Sequence, residues 1–355
     1  MKRLLSLLCV AGLLAAQEPP KPDQSKPDDP DSVIRTTFKY VLVPVTVTDH
    51  DGSYVNGLSP LDFHLTDNGK VQKVDEDVLS HPLSMVVAIQ ANNDVEKILP
   101  QIKRLSSVFE SMVLGDNGEL AILAFDHRVQ TLTDFTSEPA KIDAAFQKLR
   151  VGSYSSNLND AAMKAINLLR DRPASRRRVL VMIAENRDKG SEMKVREVLS
   201  ASEFANVVIY TVNISQLVAA LTSKAQPNRP SNLPPGAQQL PAGVINTQTT
   251  DDQMEMGNWV PAIKDVFLAA KGVFIADPLD IYTKYTGGKQ FGFKTQKALE
   301  RDISTLGEEL HSQYFLLYSP TTQDEAGFHQ IVVTVDKPYL KVRTRDGYYL
   351  AGKPE

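Results

Sequence analysis

The middle of the chain alternates between short apolar runs and amphipathic segments. Four mostly apolar runs have the length and β-branched content of buried strands: 85–89, 119–125, 177–184 and 207–214. Segments with apolar residues at helical spacing lie between or before them: about 137–149, 158–170 and 193–205. Strands that alternate with helices indicate a parallel sheet covered on both faces. We therefore predict a Rossmann-like, doubly wound, mostly parallel α/β fold.

Further elements are predicted around these. A long helix should follow the first strand, because apolar residues recur there at helical spacing: Val95, Ile98, Leu99, Ile102, Leu105, Phe109 and Met112. A last helix over 299–313 and a last strand over 314–319 are predicted to belong to the same domain, which we place at 81–320. Gly287 and Gly288 are predicted to make a sharp turn before a short strand.

The two ends of the chain have a different pattern. Residues 38–49 alternate apolar and polar positions, and Asn-Gly turns follow at 56–57 and 68–69. Residues 328–350 have strand patterns again, with a Lys-Pro break. We predict that 35–80 and 321–351 join into one antiparallel, β-sandwich-like domain, into which the middle of the chain is inserted.

Two segments show no strand or helix periodicity. Residues 222–258 are rich in Pro, Gln, Asn and Thr, which favours disorder within the α/β domain. An amphipathic segment follows, which we expect to pack back on the domain, with binding of a partner as the alternative. Residues 17–34 are rich in Pro, Asp and Lys and predict an extended linker.

The first residues predict export. Lys2 and Arg3 precede an apolar run from Leu4 to Ala16, the order of a secretory signal peptide, which we place at 1–16. The only cysteine, Cys9, lies inside this run. The mature protein would therefore lack disulfides and thiol chemistry, and it would have no transmembrane anchor. We expect a periplasmic or secreted location.

Composition excludes some functions. The 355 residues carry 39 basic and 43 acidic side chains, a net charge of −4, without a basic block, so nucleic acid is not an expected partner. Six histidines occur, and no pair of them has the His-x-x-x-His spacing of a metal site. The glycines at 287–288 lack the spacing of a phosphate loop. We expect no enzymatic activity.

Three polar loops are predicted to meet at one edge of the parallel sheet. They carry oxygen-bearing side chains at these positions: Gln90, Asn92 and Asp94; Ser156; Glu185 and Asp188. Ligand sites of open α/β sheets lie at the carboxyl ends of the strands. Carboxylate, hydroxyl and amide oxygens suit hard divalent cations, so this edge is a candidate cation site.

The order of elements, together with the stretches at 176–188 and 285–291, resembles a von Willebrand factor type A domain. The framing stretches 43–74 and 329–349 resemble exported proteins related to that domain that are numerous in Acidobacteria. The resemblance covers about 36–350 without 222–258. It implies a six-stranded Rossmann-like sheet and a protein that binds other proteins, often through a metal-ion-dependent adhesion site.

The resemblance also assigns roles to the loop residues. In the family this site is Asp-x-Ser-x-Ser in the first loop, Thr in the second and Asp in the third. Here Gln90 stands for the first Asp, Asn92 and Asp94 for the two Ser, Ser156 for the Thr and Glu185 for the last Asp. The neutral Gln90 makes the implied site degenerate, with no certain cofactor and at most weakly bound Mg²⁺ or Ca²⁺. Three neighbouring residues complete the implied partner-binding edge: Asn93, Asn157 and Asp188.

Other interpretations of these residues remain open from the sequence. Asn92, Asn93 or Asp94 could simply cap the following helix, without any metal. Glu185 and Asp188 could be part of a solvated charge cluster with Arg187 and Lys189. Asp94 and Glu185 could form the acid/base pair of an envelope hydrolase, or the domain could be a purely structural scaffold.

Overall fold

The computed structural model describes residues 41–74, 76–77, 82–110, 118–173, 175–222, 266–267, 277–292, 295–321 and 326–350. The predicted signal peptide, linker and almost all of the predicted insertion lie outside these ranges, as does Met112. No helix within the described ranges is long and apolar enough to cross a membrane.

Strands and helices follow one another in the expected alternation. The strands are β1 (Val41–Thr48), β2 (Phe63–Asp67), β3 (Lys70–Gln72), β4 (Glu76–Asp77), β5 (Leu83–Gln90), β6 (Glu119–Phe125), β7 (Val129–Thr136), β8 (Arg177–Ala184), β9 (Val207–Asn213), β10 (Gln290–Gly292), β11 (Tyr314–Tyr318), β12 (Gly327–Val335), β13 (Lys341–Thr344) and β14 (Gly347–Leu350). The helices are α1 (Leu99–Lys103), α2 (Ser106–Val108), α3 (Pro139–Gln147), α4 (Leu158–Arg170), α5 (Val195–Phe204), α6 (Ser215–Thr222), α7 (Pro278–Thr286) and α8 (Gln296–Ser312).

A six-stranded sheet forms the centre of the α/β part. Its order is β10-β9-β8-β5-β6-β7, and all neighbours are parallel except β6 and β7. Side chains of β5 alternate between the faces: Val87 and Ile89 pack in one apolar cluster with α1, α3 and α8, and Val86 and Ala88 pack in another with α4, α5 and α7. Because both faces are covered, all eight residues of β5 are buried. The predicted α/β fold class is confirmed.

Two strands differ from the prediction. The strand expected over 314–319 to join the parallel sheet, β11, pairs antiparallel with β1 instead. The sixth strand of the sheet is β7, which the sequence analysis did not predict and which pairs antiparallel with β6 at the sheet edge. An edge strand buries little of its surface, so β7 carries a mixed sequence without a run of apolar residues.

The helix predicted after β5 is interrupted. A 3-10 turn over Asn93–Val95 comes first, and then the short helices α1 and α2. The apolar positions up to Phe109 are nevertheless buried as expected. The periodicity therefore predicted the buried positions correctly, but the prediction of one continuous helix was wrong. Pro100 lies in the first turn of α1, where proline is tolerated.

Two four-stranded antiparallel sheets enclose a third apolar core. Their orders are β13-β1-β11-β4 and β14-β12-β2-β3. Alternate residues of the strands are buried between them, among them Val43, Val45, Leu65, Tyr314 and Ile331. Strands from the first part of the chain pair with strands from the last part, β1 with β13 and β2 with β12. A segment near each end of the chain is thus needed to complete these sheets.

Buried polar groups lie inside and beside this core. The Asp67 carboxylate accepts hydrogen bonds from the hydroxyls of Tyr318 (2.9 Å) and Tyr348 (2.7 Å), and its other oxygen lies 2.9 Å from Nδ1 of the buried His329. Burial raises the pKa of the Tyr318 and Tyr348 hydroxyls, which keeps them protonated as donors to Asp67. The His329 position, predicted only as part of a strand face, is the polar centre of the sandwich.

Two arginines connect the antiparallel sheets to the helices of the α/β part. Arg343 on β13 donates to the carbonyl of Gly287 at 3.0 Å and forms an ion pair with Glu309 of α8. Arg345, just after β13, lies 3.8 Å from Glu203 of α5. Burial is the main cause that raises the pKa of the Glu203 carboxyl, and Arg345 opposes it.

Candidate functional site

The three loops singled out in the sequence lie together at the carboxyl end of β5. Gln90 is the last residue of β5, whose neighbours in the sheet are β6 and β8. The backbone N–H of Asn93 donates to the carbonyl of Ser153 in the second loop (2.8 Å). The backbone N–H of Glu185 in the third loop donates to Oε1 of Gln90 (2.8 Å). We call this edge, formed by residues 90–95, 153–158 and 185–190, the strand-end surface.

Two buried amides connect two carboxylates in this surface. Nε2 of Gln90 donates to Oδ1 of Asn92 (2.8 Å) and to Oε2 of Glu185 (3.0 Å). Nδ2 of Asn92 donates to Oδ2 of Asp94 (3.0 Å) and, at 3.4 Å, to the carbonyl of Tyr154. Gln90 and Asn92 are fully buried, and every polar side-chain atom of both has a partner within the protein.

Lys189 completes this network with a positive charge. Its ammonium group forms an ion pair with Oδ2 of Asp94, the same oxygen that accepts from Asn92. The hydrogen bond from Lys189 is the main cause that lowers the pKa of the Asp94 carboxyl below its ordinary value. Both side chains of the pair are partly exposed, 40% for Lys189 and 32% for Asp94, so it lies at the rim of the surface.

Asp188 has a structural role at the start of α4. Its Oδ1 accepts from the backbone N–H of Leu158 (2.8 Å) and from the hydroxyl of Ser191 (2.5 Å). A carboxylate that accepts from the first N–H groups of a helix also interacts favourably with the helix dipole. The interpretation of this loop as a solvated charge cluster is therefore wrong for Asp188, which holds the third loop against α4.

The second loop contributes Ser156 and Asn157. Ser156 is fully buried, its carbonyl accepts from the backbone N–H of Lys189 (2.8 Å), and its hydroxyl has no hydrogen-bond partner among the described residues. Nδ2 of Asn157 donates to the carbonyl of His127 and to Oδ2 of Asp160, both at 3.3 Å. These contacts fix the loop against the turn after β6.

The capping interpretation of the first loop is wrong. Asn92 occupies the N-cap position of the 3-10 turn with extended backbone angles, yet its side chain makes no capping hydrogen bond. The helix α1 begins at Leu99, seven residues after Asn92, and its N-cap residue Ile98 makes no side-chain capping bond either. The side chains of Asn92 and Asp94 are instead directed to each other and to Gln90 and Lys189.

Several residues of this surface were missed in the sequence. Lys189 was noted only as part of a charge cluster, because nothing local shows that its partner lies 95 positions away. The Asp126 carboxylate, after β6, accepts from the backbone N–H groups of Ser153 and Arg128, each at 2.8 Å. Tyr154 is 79% exposed beside the buried amides. Clusters of Ser, Tyr and Asn such as 153–157 are frequent in binding loops, which is the one signal the sequence carried.

The donor set fits a divalent cation poorly. Such an ion needs several oxygens directed at one point. Here the amide nitrogens of Gln90 and Asn92 are directed at the carboxylates, and Lys189 already pairs with Asp94. The unpartnered hydroxyl of Ser156 is the one described group of the set that points to a missing ligand. This single hydroxyl is not enough to indicate a cation site, because the two amides and the ammonium group already occupy the carboxylate oxygens.

Two arrangements of titratable side chains near this surface differ from catalytic geometry. Nδ1 of His127 contacts both Oδ2 of Asp126 (3.0 Å) and Oγ of Ser153 (2.8 Å), whereas a hydrolytic triad uses the two different ring nitrogens. The predicted acid/base pair would need one carboxyl with a raised pKa, and the pKa of Asp94 is lowered.

A second acidic group lies at the turn after β1. Asp49, His50 and Asp51 have side-chain ligand atoms close together, and two of the three residues are exposed. The Asp49 carboxylate accepts from the backbone N–H groups of Asp51 (3.0 Å) and Ser53 (2.9 Å). These bonds close an Asx-type turn, which accounts for the cluster without a ligand.

Residues 85–187 match the family model of the von Willebrand factor type A domain. The match begins in β5, contains β6 to β8 with α3 and α4, and ends in the third loop. The chain thus contains a domain of this class, and the matched residues carry most of the strand-end surface. Domains of this class are typically non-catalytic interaction modules. No curated protein matches the chain.

Three of the solved structures to which this chain is similar illustrate the range of the comparison. An aerotolerance-related membrane protein from Bacteroides fragilis has 11% identity and a TM-score of 0.39, over 64% of this chain and 98% of that one. The protein BatB from Bacteroides thetaiotaomicron has 12% identity and a TM-score of 0.38, over 64% and 99%. The vWF domain of the pilus tip protein Mfa5 from Porphyromonas gingivalis has 14% identity and a TM-score of 0.25, over 30% and 38%. These identities and TM-scores are too low to carry an argument. The assignment of the domain class therefore rests on the match of residues 85–187 and on the six-stranded sheet.

Proposed function

We propose that this protein is an exported, non-catalytic module that binds another protein through the strand-end surface. The observation that carries the proposal is the mutual fixing of three loops around Tyr154. The N–H of Asn93, the amide of Gln90 and the carboxylate of Asp188 each bond to a neighbouring loop or helix. A rigid surface with an exposed aromatic residue loses little conformational entropy on binding.

The chemistry of this surface suits a protein partner. Tyr154 presents a large amphipathic ring, and tyrosine is enriched among residues that dominate protein interfaces. The same surface carries the polar groups of Asn93, Asn157 and Glu185, which suit the hydrogen-bonding rim of such an interface. We retain Gln90, Asn92, Asp94, Ser156 and Glu185 as a degenerate adhesion site, in which the polar network positions the loops. The antiparallel sheets would then hold the domain and present this edge.

Site-specific photo-crosslinking tests the proposal with a matched pair of tyrosines. Tyr154 is 79% exposed in the strand-end surface, and Tyr339 is 87% exposed in the turn between β12 and β13. A photoreactive phenylalanine analogue replaces each in turn, and the protein is irradiated in an envelope extract of the cells that produce it. We expect a discrete crosslinked protein from position 154 and none from position 339.

A second variant separates binding from chance proximity. Glu185→Ala removes the carboxylate that accepts from Gln90, so the crosslink from position 154 should fall at least several-fold. Equal crosslinking from both tyrosine positions, or a crosslink that ignores Glu185→Ala, would reject this face as the binding surface. Absence of any crosslink from position 154 would favour the purely structural scaffold.

A further inference from the structure

We propose that the ammonium group of Lys189 is the built-in cation of the strand-end surface and that it makes the site independent of divalent metal. This inference concerns the same surface as the proposed function, but it needs no partner and stands on the contacts of Lys189. It replaces the weakly bound Mg²⁺ or Ca²⁺ that the family resemblance implied.

The first argument is the charge partner of Lys189. Asp94 carries the carboxylate of the first loop, and its Oδ2 receives the Lys189 ammonium group and the amide of Asn92. A divalent cation bound through this oxygen would have to displace the ammonium group, because two cations next to one carboxylate repel each other. The protein thus supplies from its own chain the positive charge that an acidic site would otherwise take from solution.

The second argument is the direction of the amides. Oε1 of Gln90 accepts from the backbone N–H of Glu185, and Oδ1 of Asn92 accepts from Gln90. The two amide nitrogens donate to Asp94 and Glu185. The network therefore satisfies both carboxylates with N–H donors, and a metal at these carboxylates would have to displace buried donors from their acceptors.

The third argument is that the backbone holds Lys189 in place. Its N–H donates to the carbonyl of Ser156 (2.8 Å), and its carbonyl accepts from the hydroxyl of Ser155. The next residue, Gly190, has φ +129, and a Cβ there would lie 2.8 Å from Oγ of Ser155. Only glycine allows this close approach of the third loop to the second. Lys189 is therefore a fixed part of the surface although its side chain is partly exposed.

The test compares Lys189→Met with three controls. Lys189→Arg keeps the positive charge, and Asp94→Asn in the Lys189→Met background removes the carboxylate. Lys141→Met removes the lysine of another partly exposed ion pair, with Glu138 at 2.6 Å, away from this surface. Thermal unfolding and calorimetric titration are measured for the full chain with EDTA and with millimolar Mg²⁺, Ca²⁺ or Mn²⁺.

We expect no response to metal in three of the proteins: the unmodified protein, Lys189→Arg and Lys141→Met. Each of them should unfold at the same temperature in EDTA as with each metal. Lys189→Met should unfold several degrees lower than Lys141→Met in EDTA and recover part of that loss with metal, because the uncompensated Asp94 carboxylate can now take a cation although the amide donor of Asn92 still competes for it. The added Asp94→Asn substitution should abolish that recovery.

Two results would overturn the inference: stabilisation of the unmodified protein by any of the metals, or a Lys189→Met protein that shows no response to any of them. The crosslink from position 154 is measured separately. If the crosslink is absent but Lys189→Met responds to metal as expected, the proposed function is rejected and Lys189 stands as the cation. If the crosslink forms but Lys189→Met does not respond to metal, the proposed function stands and the role of Lys189 is rejected.

Discussion

At the scale of single residues, the buried amide of Gln90 connects two loops that are far apart in sequence. Its Nε2 binds Asn92 in the first loop and Glu185 in the third, and its Oε1 accepts from the backbone of Glu185. A carboxylate at this position would repel Glu185, because it has no hydrogen to donate. The neutral side chain of Gln90 thus donates to Glu185 where a carboxylate would repel it.

The contribution of Gln90 to stability can be measured with Gln90→Leu. Leucine keeps most of the volume, but it leaves the N–H of Glu185 and Oδ1 of Asn92 without their partner, so we expect a loss of about 2–4 kcal/mol in the free energy of unfolding. Urea unfolding followed by circular dichroism measures it. Gln130→Leu on the exposed side of β7 is the matched control and should change stability by less than about 0.5 kcal/mol. A change of similar size in both variants would show that the network of Gln90 adds no stability.

At the scale of elements, the turn between α7 and β10 positions an edge of the parallel sheet. Gly287 ends α7 with φ +80, in the left-handed region. At Gly288 a Cβ would lie 1.9 Å from the carbonyl oxygen of Ile209 on β9. This Gly-Gly pair predicted a sharp turn, and the turn is confirmed. The reason for the second glycine is close approach of two backbones, which no local pattern reveals.

Gly288→Ala therefore should destabilise the protein by about 2 kcal/mol or more, because the added methyl group meets backbone atoms that cannot move independently. Thermal unfolding monitored by circular dichroism checks this. Gly292→Ala, four residues further on, is the control, since a Cβ there meets nothing within 4 Å. If both variants unfold at the same temperature, the sheet edge is more adaptable than this contact indicates.

At the scale of the whole molecule, Arg343 connects the antiparallel sheets to the α/β part. Its guanidinium group binds Glu309 of α8, the carbonyl groups of Gly287 and Gly288, and Oγ1 of Thr46 at 3.1 Å. Glu309 is buried, with a side chain only 1% exposed. These contacts favour unfolding of the described sheets as one unit rather than in two steps.

Arg343→Leu should lower the free energy of unfolding by about 3 kcal/mol, because it removes the positive charge that pairs with the buried carboxylate of Glu309. The double variant Arg343→Leu with Glu309→Leu should recover part of that loss. Differential scanning calorimetry measures both and shows whether one transition divides into two. Lys337→Leu, which removes an exposed and longer ion pair with Asp62 (3.9 Å), should have little effect. A double variant less stable than Arg343→Leu would contradict the role of this pair.

The sequence by itself determined the elements and the class of the main sheet. The continuous apolar runs of β5 and β8, which the sheet buries on both faces, and the apolar residues at helical spacing between them are local properties of the sequence. Loop positions followed in turn, since a parallel sheet puts the carboxyl ends of its strands at one edge. The presence of polar residues at that edge could be predicted from the sequence for the same reason.

Only the tertiary structure decided the pairing partners. The strand β11 is apolar throughout and reads like a parallel strand, but it joins β1, and the mixed sequence of β7 gave no sign that it completes the parallel sheet. Likewise, the charges of Asp94 and Lys189 are evident in the sequence, and their contact is not. Periodicity is set by neighbours along the chain, whereas pairing depends on which distant segments bury surface together. The ion pair of Lys189 with Asp94 in the strand-end surface likewise depends on contacts between distant segments, so the sequence alone could not predict it.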